Sequence, residues 1–182
     1  MKNLKNENGF TALEMMISIA LSSMMFYAMF VVMRTGDDQI QQTQVKMFIQ
    51  DSARTGLNKM LEEIRQSAPT RIQINGGGSS LQFQIPNPGI PVGADYRPDW
   101  VNSWTVQYAI GGVNNTQLIR TNNTTGLTSV LANDVQAINF AGNLANPTVV
   151  TINMSVQRAL NNGGFMPAIP LQMTAQAEIR NV

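Results

Sequence analysis

The chain contains neither cysteine nor histidine. Without cysteine there is no disulfide, no thiolate nucleophile and no sulfur-ligated metal. Without histidine the commonest general base and the commonest transition-metal ligand are both missing. Carboxylates, lysine and serine remain, but no acid pair or Ser–Lys motif stands out. The chain is therefore expected not to be an enzyme and to need no cofactor or metal. Charge is scarce as well: 13% of 182 residues, with a net charge of +1. A nucleic-acid surface needs clustered Lys and Arg, so no nucleic-acid partner is expected.

What the chain has in abundance lies near its start. From Phe10 to Met33 it reads FTALEMMISIALSSMMFYAMFVVM, 24 residues with no proline and no glycine. As a helix rising about 1.5 Å per residue, this run reaches roughly 36 Å, long enough to cross a bilayer with some tilt. Lys2 and Lys5 precede it, and Arg34, Asp37 and Asp38 end it. Basic residues before the span favour an N-terminus in the cytoplasm. Ala20-Leu21-Ser22 resembles the small-x-small site of a secretory signal. Cleavage there would leave MMFYAMFVVM as an exposed apolar terminus, and a signal core rarely carries an acid, so a cleaved secretory signal is disfavoured.

That acid is Glu14. Nine strongly apolar residues of the span supply roughly −3 to −5 kcal/mol of insertion free energy. A carboxylate at the bilayer centre costs about 2.5–3.5 kcal/mol, though less one turn inside the segment. Either Glu14 snorkels to the headgroups, or it awaits a positive partner. A new α-amino group would be such a partner if the chain were cut just before Phe10.

Gly9-Phe10-Thr11-Ala12-Leu13-Glu14 resembles the prepilin signature of type IV pilins and of the pseudopilins of type II secretion. A short basic leader ends in Gly, Phe follows, Glu is the fifth residue of the mature chain, and an unbroken apolar span comes next. Ala12 stands where larger aliphatics are usual. The resemblance implies that a prepilin peptidase cuts between Gly9 and Phe10 on the cytoplasmic side and N-methylates Phe10. It implies that Glu14 offers its charge to the Phe10 amine of an adjacent subunit. It further implies a single-pass protein of the bacterial inner membrane with a periplasmic head, drawn by inner-membrane assembly machinery into a pilus or pseudopilus with other pilin or pseudopilin subunits.

Thr11, Glu14, Ser18 and Ser22 share one helix face. Ser18 and Ser22 form a small-xxx-small pair that lets another helix approach, unless their hydroxyls only bond back to their own backbone. Six of the twelve methionines lie in the span, and their flexible side chains suit a helix that repacks among neighbours.

Past Met33, Val45, Phe48, Ile49, Ala53, Leu57, Met60, Leu61 and Ile64 recur at steps of three and four, an amphipathic helix with one buried stripe. Ser67-Ala68-Pro69 ends it, and Gly36 marks a bend. The reading is one long helix over 10–66, about 85 Å if straight. From residue 70 the composition turns to Asn, Gln, Thr and Gly. Strands are predicted at 71–74, 81–85, 105–110, 117–121, 135–140, 149–156 and 171–179. Loops are predicted at 75–80 and 111–116, with long excursions at 86–104 and 161–170. The Gly-rich loop at 75–80 lacks the Gly-Lys-Ser/Thr of a phosphate loop. The organisation is therefore a leader (1–9), a transmembrane or filament-core helix (10–33), an amphipathic helix (34–68) and a head (69–182). The fold class is α+β, with the helix against one antiparallel sheet. The stretch 130–140 and the closing Glu178-Ile179-Arg180-Asn181 are similar to PilW-type minor pilins and J-type pseudopilins.

Within 86–104, Tyr96, Arg97, Trp100 and Trp104 gather as a candidate contact loop. The alternative is that these aromatics fold back onto the sheet. Asp95 and Asp99 fall short of a calcium-loop pattern. A membrane-tethered ligand-binding module, with its N-terminus intact, is the rival from another functional class.

Overall fold

The computed structural model describes residues 10–87, 98, 100–143, 145–160 and 164–179. The chain divides into two compact units, Met1–Thr43 and Gln44–Val182. One α-helix, α1 (Ala12–Arg65), contributes to both.

In the first unit α1 buries nothing. Every large apolar side chain from Phe10 to Met33 is exposed, Val31 least of all at 44%. The helix is long and apolar enough to cross a membrane. Gly36, expected to mark a bend, is helical, and helix assignment passes through it without a break. A single helical glycine costs only about 1 kcal/mol relative to alanine, which good helix formers on either side absorb.

In the second unit α1 carries a buried stripe of Ile49, Ala53, Gly56, Leu57, Met60, Glu63 and Ile64, with Val45 and Leu61 half-covered. Phe48 departs from the predicted stripe and is 58% exposed. It lies about 100° around the helix from Ile49, and the Arg158 guanidinium sits 5.3 Å from its ring centre. Gly56 is in the stripe because the sheet comes close there. A β-carbon at that position would lie 3.2 Å from that of Ala132 and 3.3 Å from the Leu131 carbonyl oxygen.

The strands form two antiparallel sheets rather than the single sheet expected. Strands β1 (Ile72–Asn75), β2 (Ser80–Ile85), β3 (Trp104–Gly111), β4 (Gln117–Asn122) and β5 (Leu127–Ala132) lie in chain order in a five-stranded sheet. Strands β6 (Val135–Gly142), β7 (Val149–Ala159) and β8 (Phe165–Glu178) make a three-stranded one. The switch falls at Asp134, whose φ of 62° turns the chain between β5 and β6. Asp134 is held there by Nε and Nη2 of Arg158, at 3.0 and 2.9 Å.

Strand β5 was not predicted. It is an edge strand with four of its six residues exposed, so no alternation marks it. Residues 165–170, predicted as an excursion, open β8. Pro167 and Pro170 argue against a strand, but β8 lies at a sheet edge, where proline is tolerated. Where the β7–β8 ladder shifts beyond Val156, the Gln157 side chain donates to the carbonyls of Pro167 and Ala168, at 2.8 and 3.2 Å.

Helix residues 49–64 and both sheets share one core, with Phe83, Tyr108, Leu118, Phe140 and Ile152 among its fully buried side chains. One carboxylate enters it. Glu63 accepts a hydrogen bond from Tyr108 Oη at 2.5 Å and a bifurcated one from the single Arg120 Nε–H, at 2.9 Å to Oε2 and 3.1 Å to Oε1. Lys59 Nζ stands 3.7 Å away on the solvent side. Paired this way, the acid ties α1 to β3 and β4, whereas a lone buried charge would be costly. Burial, then the hydrogen bond and charge of Glu63, raise the Tyr108 pKa far above the usual phenol range. Burial alone would lower the Arg120 guanidinium, but its bonds to Glu63 and the charge of that carboxylate outweigh it, and its pKa is raised.

Candidate functional site

The helix start is built by its own sequence. Thr11 precedes the first helical residue, Ala12, and Glu14 is the third residue of the helix. The Glu14 amide donates to Thr11 Oγ1 at 3.3 Å. In return, Glu14 Oε2 accepts from the Thr11 amide at 2.9 Å and from its hydroxyl at 3.0 Å. This reciprocal pair is a capping box, which satisfies two donors that a helix end otherwise leaves open. The spacing Thr-x-x-Glu before an apolar run is its sequence signature, and the reading of Glu14 as an acid in lipid passed over it.

Among the described hydrogen bonds of the Glu14 carboxylate, all fall on Oε2. Phe10, 80% exposed, stands immediately before the cap. Gly9 and the leader lie outside the described residues.

One turn on, the Ser18 hydroxyl donates to the Glu14 carbonyl at 2.7 Å, and that of Ser23 to the Ala20 carbonyl at 2.8 Å. These are the back-bonds that let a serine sit in an apolar helix. Ser18 and Ser22 nonetheless line a shallow groove of about 350 Å³, walled by Met15, Ile19 and Phe26. Two small side chains between larger ones make a surface onto which another helix can close.

The predicted head loop divides. Trp104 is half-buried and packs against the core. Trp100 instead lies over the Arg71 guanidinium, 4.6 Å from ring centre to carbon, and Arg71 also hydrogen-bonds Gln84. Tyr96, Arg97, Asp95 and Asp99 lie outside the described residues. Among the described residues, no three carboxylates converge as a metal site would require.

Comparison of the chain with protein-family models, with curated proteins and with solved structures gave no match.

Proposed function

We propose that the chain is a structural, non-enzymatic subunit of a type IV pilus or related pseudopilus, of the minor kind. In this reading it waits in the inner membrane with its head in the periplasm, is cut after Gly9 by a prepilin peptidase, and is methylated on Phe10. It then joins other subunits through its N-terminal helix. The observation that carries the proposal is the conjunction at the helix start. In the sequence Gly9-Phe10 comes just ahead of Glu14, and Glu14 lies in the first turn of a helix whose large apolar side chains, with that of Phe10 before it, are all uncovered as far as Met33. No head of this size needs such a surface, whereas a filament core does.

Chemistry supports the role given to Glu14. Loss of the leader would remove Lys2, Lys5 and Glu7, leaving ten basic and ten acidic side chains. The new amine at Phe10 would be the nearest cation to a Glu14 carboxylate among packed helices, where charges attract far more strongly than in water.

Mass spectrometry of the mature protein tests cleavage: its first residue should be an N-methylated Phe10, and Gly9→Ala should block processing. A mature chain beginning at Met1 overturns the proposal. The Glu14→Ala protein should be cleaved normally yet enter fibres poorly. An unpaired buried charge costs about 3–5 kcal/mol, so the loss should be on the order of a hundredfold or more. Normal incorporation, read by immunoblotting sheared fibres, removes the role assigned to Glu14.

A further inference from the structure

The solvent face of the five-stranded sheet carries amides where its core face carries apolar side chains. In β2, buried Leu81, Phe83 and Ile85 alternate with half-buried Gln82 and Gln84. Register extends the pattern across strands: Gln73 pairs with Gln82, Gln82 with Gln107, and Gln84 with Thr105. Adjacent strands lie about 4.8 Å apart, so three glutamines form a row across the sheet. At its β1 end the face hollows into an open cavity of about 330 Å³ whose polar lining is Thr70, Arg71, Gln73, Gln82, Gln84 and Thr105, with the buried Phe83 beneath.

Four properties of this cavity narrow its ligand. Each glutamine offers both a donor and an acceptor, as vicinal hydroxyls do. Among the described lining residues Arg71 is the one charged side chain, and its planar fork suits a carboxylate. The Trp100 ring and the Gln84 side-chain oxygen both engage that guanidinium. Phe83 also borders the cavity, but its side chain is committed to the core at 1% exposure and offers no anchor a protein partner could bury, and a single cation is too little for a nucleic acid. The volume lies at the small end of ligand clefts, about 300–1,000 Å³.

We propose that this cavity binds a carboxylated carbohydrate chain, with Arg71 on a sugar carboxylate and Gln73, Gln82 and Gln84 on the hydroxyls around it. The inference is independent of the assembly role above, because a tethered head would hold the same site.

The test uses the full-length protein in a non-glycosidic detergent and an oligogalacturonate as probe, followed by tryptophan fluorescence and equilibrium dialysis. Saturable binding is expected, with the neutral galactose oligomer and polyglutamate both much weaker. Arg71→Gln should lower affinity about tenfold, as loss of a charge-assisted bidentate contact does. Gln82→Ala, a surface change that leaves the charge intact, should lower it a few-fold. Arg54→Gln, which removes one charge outside the cavity, should leave binding unchanged, and circular dichroism verifies that each variant is folded. Absence of saturable binding overturns the proposal. So does equal binding of the neutral oligomer or of polyglutamate, or an equal loss in Arg54→Gln and Arg71→Gln.

Discussion

One helix serves two regions in opposite ways. Over 12–43 it exposes its apolar side chains and offers no face to a core, while over 44–65 it turns a stripe inward against two sheets. Backbone hydrogen bonding is the same in both. The difference lies in where the polar residues stand. Over 10–33 a lone acid and scattered serines interrupt an otherwise apolar circumference, and such a helix needs lipid or other helices around it. Over 44–65 charged residues alternate with the stripe and keep its other side in water. One acid in each region shows the same contrast: Glu14 closes the helix end, and Glu63 joins the helix to the sheet.

The comparison breaks most sharply at Glu63. Glu63→Ala leaves Arg120 and Tyr108 without their partner in the core and should cost about 3–5 kcal/mol, read by chemical denaturation through the tryptophans of the head. Helicity over 12–43 should not change. An equal loss of helicity there would show that the two regions fold together.

Gly56→Val comes next. Even a β-carbon would press on Ala132 and the Leu131 carbonyl, and a larger side chain should cost about 1–3 kcal/mol by the same measurement.

Alkaline pH probes the same junction. The Tyr108 pKa is raised in the folded state, so between the unfolded and folded values the unfolded chain binds fewer protons. Stability is therefore complete below about pH 10 and falls as pH rises beyond it, by at most about 1.4 kcal/mol per pH unit. Tyr108→Phe should flatten that slope.

The smallest effect carries the opposite sign. Nothing lies within 4 Å of a β-carbon at Gly36, so Gly36→Ala should stabilise the helix by about 0.5–1 kcal/mol, seen as slower amide exchange around residue 36.

The long helix was legible because its two patterns are long and unambiguous, an apolar run followed by steps of three and four. Seven of the strands were legible to within a few residues except at the start of β8, where two prolines masked an edge strand. Strand β5 left no trace because Leu127-Thr128-Ser129-Val130 is exposed on both faces and has no alternation to read. Glu63 was hidden for a different reason. It stands three residues after Met60 on the buried face, but a charged residue there reads as a break in the stripe until Arg120, distant in sequence, is brought beside it. At the helix start the residues were legible and one of their roles was not, since Thr11 and Glu14 explain each other only as a pair. The split of Trp100 from Trp104 depends on how the chain enters β3 at Trp104, and composition carries no information on that.

If the apolar helix enters lipid, the capping box at Thr11 and Glu14 alters the balance of that step. A helix that begins inside hydrocarbon presents open amides with no water to meet them, and each is expensive. Its aligned peptide dipoles also gather positive potential at that end. An acid in the first turn answers both at once, so the residue that looks most out of place in an oily segment would lower the penalty of starting a helix in lipid.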